Sequence, residues 1–267
     1  MIRYADAVRF DRVAEWGRNE PLRVTAETDD GDEVEVFLKP SGRPEVGIEG
    51  MANEMFAACI GGHLGLPVCE PIAVRMSNEW IASIQNPKIR QVLVESAPVA
   101  FGSVAAGSAW RRWTNDDRLI GERRPTALGV FVFDGFIENR DRVVSNPNLL
   151  IRGDGFRIID HELCFRIRQC LFPRPEPWRV GYLQSAVAPG SNGHVFGALL
   201  RNDRYLDFSA LRPAWSGLSN DALNDYAARL PREWSAAADA IEDALTHLRN
   251  VRDRIDDCLA EVERALA

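Results

Sequence analysis

The chain has 267 residues, 46% hydrophobic and 27% charged, enough apolar material for one large domain or two units sharing a cleft. A net charge of −7 argues against a general nucleic-acid or anionic-membrane binder. No apolar run approaches the roughly 18 residues of a membrane span, and residues 1–6 hold no apolar signal core, so a cytoplasmic location is expected.

Residues 7–13 alternate apolar and polar side chains as a half-buried strand does, and residues 22–27 repeat the pattern. The turn between them, residues 16–21, carries Gly17, which is either a glycine of a phosphate-covering loop or an ordinary turn glycine. Asp29-Asp30-Gly31-Asp32 marks a hairpin turn, and a third strand over residues 33–39 leaves it. That strand ends on Lys39. Of the chain's 32 basic residues only Lys39 and Lys88 are lysines, so Lys39 stands where a compact point charge is wanted or at an exposed strand end.

A helix is expected from about Glu49 to Leu64, with Met51, Phe56, Ala57 and Ile60 on its apolar face, Glu54 one turn in and Gly65 ending it. Residues 67–74 read as a strand, and residues 79–94 as helical spacing interrupted by Pro87. Residues 99–103 read as a strand and hinge, in which Phe101 and Gly102 stand where backbone comes close to a planar base. Residues 126–137 form the next helix, residues 172–178 an irregular loop, and residues 219–267 a helical tail broken near Pro231. The five cysteines contain no C-x2-C pair and are expected to be reduced; the four histidines form no zinc pattern.

The helix over residues 126–137 runs into a polar loop in which Asp141 precedes Asn146 by five positions. The strand Phe156-Arg157-Ile158-Ile159 then ends on Asp160. This is the layout of a phosphoryl-transfer site, where one Asp takes or orients the acceptor's proton. An Asn five residues on and a later Asp hold metal across the nucleotide phosphates. A strand lysine reaching the phosphates and a helix glutamate pairing with it complete the set, as Lys39 and Glu54 do in order along the chain.

Val36-Phe37-Leu38-Lys39-Pro40, Asn53-Glu54, Glu138-Asn139-Arg140-Asp141-Arg142, Asn146-Pro147-Asn148-Leu149-Leu150-Ile151 and Ile159-Asp160-His161-Glu162 together resemble the HipA-like kinase family. That family shares its fold with the phosphatidylinositol 3/4-kinases and, more distantly, the protein kinases. The resemblance spans roughly residues 7–165. It implies an α+β, two-lobed protein-kinase-like fold with a mainly antiparallel β N-lobe and a mainly helical C-lobe, divided as residues 1–103 and 104–267. It also implies ATP and Mg2+ as cofactors, with Lys39 on the phosphates, Glu54 as its partner, Asp141 as catalytic base, and Asn146 and Asp160 as metal ligands. Two features depart from the pattern: the loop at Gly17 is poor in glycine, and His161 follows Asp160 where many kinases place Phe-Gly. A toxin role is not carried over.

The expected function is therefore an ATP- and magnesium-dependent phosphotransferase acting on a protein hydroxyl or a small molecule. A nucleotide-binding pseudokinase is the second reading. The third is a non-kinase α+β protein in which Asp141 merely pairs with Arg142 or Arg140.

Overall fold

A computed structural model describes residues 2–15, 20–43, 47–170 and 175–267. Gly17 lies outside the described residues. The alternating segments become β1 (Arg3–Val13), β2 (Leu22–Thr28) and β3 (Glu33–Lys39). Gly31, at φ +85°, closes the β2–β3 hairpin in the left-handed region that a side chain disfavours.

Next come α1 (Gly47–His63), β4 (Pro71–Arg75), α2 (Asn78–Ser83), α3 (Pro87–Val94) and β5 (Val99–Val104). Pro87 does not interrupt one helix but starts a second. Asn86 caps it by accepting from the Lys88 and Ile89 N–H groups, and proline fits a first turn because its missing N–H would have no helical partner there.

The five strands close into a barrel in the order β1-β2-β3-β5-β4. Four pairings are antiparallel, and a parallel β1–β4 pairing, Arg3–Asp6 against Ile72–Arg75, closes the ring. A five-stranded barrel has little interior, so small side chains must alternate with branched ones. Ala5, Ala26, Val24, Leu38, Val74 and Ala100 are fully buried. Gly102 belongs to this packing. Its register partners are Leu38 on β3 and Ile72 on β4, and a Cβ there would stand 2.8 Å from methyls of both Ile72 and Val74.

β6 (Arg111–Arg112), α4 (Arg123–Phe136), β7 (Leu149–Arg152) and β8 (Gly155–Ile158) follow, with β6-β7-β8 forming a three-stranded antiparallel sheet. The remainder is mainly helical: α5 (Gly197–Leu200), α6 (Leu211–Ser216), α7 (Asn220–Ala228), α8 (Ala238–Asp253) and α9 (Ile255–Leu266). Helix α1 packs on β4 and β5 on one side and on α7 and α8 on the other. It is therefore buried nearly all round, Asn53 and Glu54 included, rather than along one stripe. Among the described residues no helix is long and apolar enough to cross a membrane.

Replacing Gly102 by alanine forces a methyl into the barrel wall. Gly102→Ala is expected to lower stability by about 1–3 kcal/mol, read as a drop in the urea midpoint at unchanged m-value.

Candidate active site

Lys39 ends β3 directly opposite Phe101 of β5, and three carboxylates meet at its Nζ. Nζ donates to Asp160 Oδ1 at 2.7 Å and to Glu54 Oε2 at 3.0 Å, and it pairs with Glu162 Oε2 at 3.0 Å. Burial would favour the neutral amine, yet Asp160, Glu54 and Glu162 hold the Lys39 pKa well above that of an ordinary lysine. The three carboxylates can bring oxygens within 4.8 Å of one another, as a bound cation requires. The Lys39 ammonium already sits among them and plays that part.

Each carboxylate is held by its own backbone. Glu54 projects from α1, where its Oε2 also accepts the His161 N–H at 2.8 Å. Burial works against its charge, but Lys39 and His161 prevail and its pKa falls. Asn53, its neighbour, donates to the Cys164 carbonyl at 3.0 Å, so α1 grips the 160–164 turn at two points. Asp160 leaves β8 at φ +64°, a conformation that costs a non-glycine residue energy and persists only when its surroundings enforce it. Glu162 is more deeply buried than Asp160, and burial raises its pKa in spite of Lys39.

On the 138–148 loop, Asp141 Oδ2 accepts the side-chain amides of Asn146 at 2.8 Å and Asn148 at 3.1 Å. Burial and the nearby charge of Asp160 raise the Asp141 pKa, against the pull of those two hydrogen bonds. A carboxylate can only accept, so each amide turns its N–H to Asp141 and its oxygen away. With the Asp160 carboxylate, these amide oxygens are hard-oxygen donors of the kind that suits Mg2+.

The loop is anchored from behind by a buried ion pair. Asp134, in the last turn of α4, is 1% exposed and Arg142 0%; Arg142 Nε donates to Asp134 Oδ2 at 2.6 Å. The other Asp134 oxygen accepts from Asn139 at 2.8 Å, and Asn139 Oδ1 accepts the Asp141 N–H at 3.3 Å. Arg142 Nη1 donates to the carbonyls of Asn148 and Ile159, on either side of the β7–β8 hairpin, and Nη2 to His161 Nε2 at 2.9 Å. His194 Nδ1 accepts the Phe196 N–H, which leaves its Nε2 to donate to Asp134 at 2.9 Å. Arg142 is thus paired with Asp134 and Arg140 with Glu138, which removes the reading of Asp141 as a mere partner of either arginine.

A cavity of about 280 Å³ opens in front of Lys39, lined by Glu54, Cys69, Phe101, Ser103, Asn148, Leu150, Ile159 and Asp160 among others. Its size and mixed lining suit a planar apolar group at one end and anionic groups at the other. Phe101 borders this cavity, and alternation along β5 turns the side-chain position of Gly102 into the barrel interior, against Ile72 and Val74.

A family model described as HipA-like kinase matches residues 17–171, more than half of the chain. The chain belongs to the HipA-like kinase family. It is accordingly a kinase, a phosphotransferase. Among solved structures it resembles the crystal structure of a Helicobacter pylori proinflammatory kinase, CtkA, at a TM-score of 0.51 and 12% identity, covering 98% of this chain and 99% of that one. At that identity the likeness supports a kinase-like fold and carries no residue roles. No curated protein matches the chain.

The sequence assigns no site role to Asn148, Glu162 or the Asp134–Arg142–His194 anchor. Asn148 and Glu162 stand within the motif segments, each two positions beyond an expected metal ligand, whereas His194 left no signal outside the fold.

Arg142 and His194 hold the Asp134 carboxyl at about 2 despite complete burial. The folded chain therefore binds this proton less readily than the unfolded chain, whose aspartate titrates near 3.9. The stabilisation is complete above about pH 4 and is lost as pH falls towards about 2. Asp134→Asn is expected to flatten the acid limb of the stability-against-pH curve by about 2 kcal/mol, measured by urea melts between pH 2 and 7.

Proposed function

We propose that this kinase uses ATP and magnesium and transfers the terminal phosphoryl group to a protein hydroxyl from a cleft between two lobes, residues 1–103 and 104–267. The observation that carries this reading is the convergence of Glu54 and Asp160 on the Lys39 ammonium, with Lys39 and Asp160 121 positions apart, beside a cavity of about 280 Å³ that all three line. Phosphoryl transfer is mostly positioning and neutralisation of charge, and these residues supply both.

In this reading Lys39 donates to the phosphates, with Glu54 keeping the ammonium aimed at the cavity. Phe101, Leu150 and Ile159 cover the base. Asp160 and the amide oxygens of Asn146 or Asn148 hold the metal, which when bound neutralises charge on the phosphates. Asp141 faces the acceptor and takes or orients its hydroxyl proton, a role its raised pKa suits. The presence of this full set favours turnover over a nucleotide-binding module without activity. A protein acceptor rests on the family membership.

Two substitutions test the division of labour. Asp141→Asn keeps the loop's shape and is expected to leave Mg·ATP affinity within about threefold while transfer falls by roughly two to four orders of magnitude. Incubation with labelled ATP and cell extract reads the transfer, and calorimetry reads the binding. Lys39→Met is expected to weaken ATP binding. It also takes the neutralising ammonium away from Glu54 and Glu162, so that burial raises their pKa values. The variant should then lose stability relative to the wild type as pH rises through and above about 4.3, where the unfolded glutamates ionise. Thermal melts at pH 5 and 8 measure the difference.

A further inference from the structure

A strand lysine in a kinase needs one glutamate to aim it and one aspartate that also serves the metal. Lys39 has a third carboxylate, and a buried carboxylate is costly unless its charge is used. Glu162 side-chain exposure is 6% and that of Asp160 is 28%. Asp160 and Glu54 line the cavity in front of Lys39, and Glu162 does not. Glu162 therefore reaches the ammonium from a buried position set back from the cavity wall. Its position is set by the same turn as that of Asp160, because the His161 N–H between them donates to Glu54 and fixes both flanking residues relative to α1.

Asp160 has two claims on it. Its Oδ1 is bonded to Lys39 at 2.7 Å, the shortest of the three contacts. Under the function proposed above, the same carboxylate must serve the metal. The ammonium can let go of Asp160 only if other negative charge stays beside it, and Glu54 is shared with the His161 N–H. We infer that Glu162 is a positioning residue of the kinase site, holding the Lys39 ammonium from behind so that Asp160 is released to the metal.

Glu162→Gln keeps the side chain's shape and removes its charge. Lys39 then grips Asp160 more tightly, and the site loses one negative charge; both changes weaken the metal. The test is calorimetric titration of Mg2+ into the full chain at fixed ATP, alongside ATP titration without metal and steady-state kinetics. The expected result is a half-saturating Mg2+ concentration about tenfold higher, with metal-free ATP affinity unchanged or tighter. The ATP KM measured at limiting Mg2+ should rise, and kcat should recover at saturating Mg2+. Glu162→Asp, which keeps the charge at shorter reach, should lie between the two and serves if the glutamine variant does not fold. A Glu162→Gln protein with wild-type Mg2+ dependence, whatever its stability, overturns the proposal. Asp160→Asn in the same titration separates the two levels: if it abolishes metal-dependent binding while Glu162→Gln changes nothing, only the role of Glu162 falls. If neither changes anything, the site reading falls with it.

Discussion

The buried pair between Asp134 and Arg142 is the constraint on which the candidate site depends. A guanidinium at 0% exposure is tolerable only when its charge is neutralised and its N–H groups are occupied. Asp134 supplies the charge, while the Asn148 and Ile159 carbonyls and His161 engage both terminal nitrogens. These partners belong to the end of α4, the 138–148 loop, and the turn after β8. One side chain therefore fixes, relative to the end of α4, the loop that carries Asp141 and Asn146 and the turn that carries Asp160. Removing one member of such a pair typically costs about 3–5 kcal/mol, because the other is left charged in the interior.

Backbone strain gathers around the same site. Glu138, Asn148, Asp160 and Phe165 all adopt positive φ, between 45° and 64°. Each is expensive for a residue with a side chain, and together they cluster where the loop and the 160–165 turn meet. Glu138 is held by Tyr182 and Arg140, Asn148 by its bonds to Asp141 and Arg142, and Phe165 by its N–H to the Ile137 carbonyl. Asp160 is drawn to Lys39. At Asn148 and Asp160 the strain goes with polar groups on the cavity wall, and the surrounding hydrogen bonds keep it from relaxing.

What the sequence made legible follows from the range of the interactions involved. Lys39, Glu54, Asp141, Asn146 and Asp160 stand out because strand, helix and loop chemistry set their local context. The alternating strands and the hairpin at Gly31 are equally local. The parallel β1–β4 pairing that closes the barrel joins residues 3–6 to 72–75 and leaves no turn signal between them. At Gly102 the sequence points to a close backbone approach, and only the closed barrel shows that the missing side chain also makes room for Ile72 and Val74. Pro87 looked like an interruption because its capping partner, Asn86, is visible as such only once the helix is seen to start there. His194 reaches Asp134 across 60 residues, from a segment with no regular pattern.

The central claim is that Lys39, Asp160 and the asparagine amides beside Asp141 bracket a metal–nucleotide complex. Crystals of the chain grown with Mn2+ and a non-hydrolysable ATP analogue test it most directly, because the ion's anomalous signal locates it independently of any fitted geometry. The account predicts one strong peak within about 2.3 Å of an Asp160 oxygen and of an Asn146 or Asn148 amide oxygen, with Lys39 on the phosphates and the terminal phosphate facing Asp141. A nucleotide bound away from Lys39, or a metal with no contact to Asp160, would contradict it.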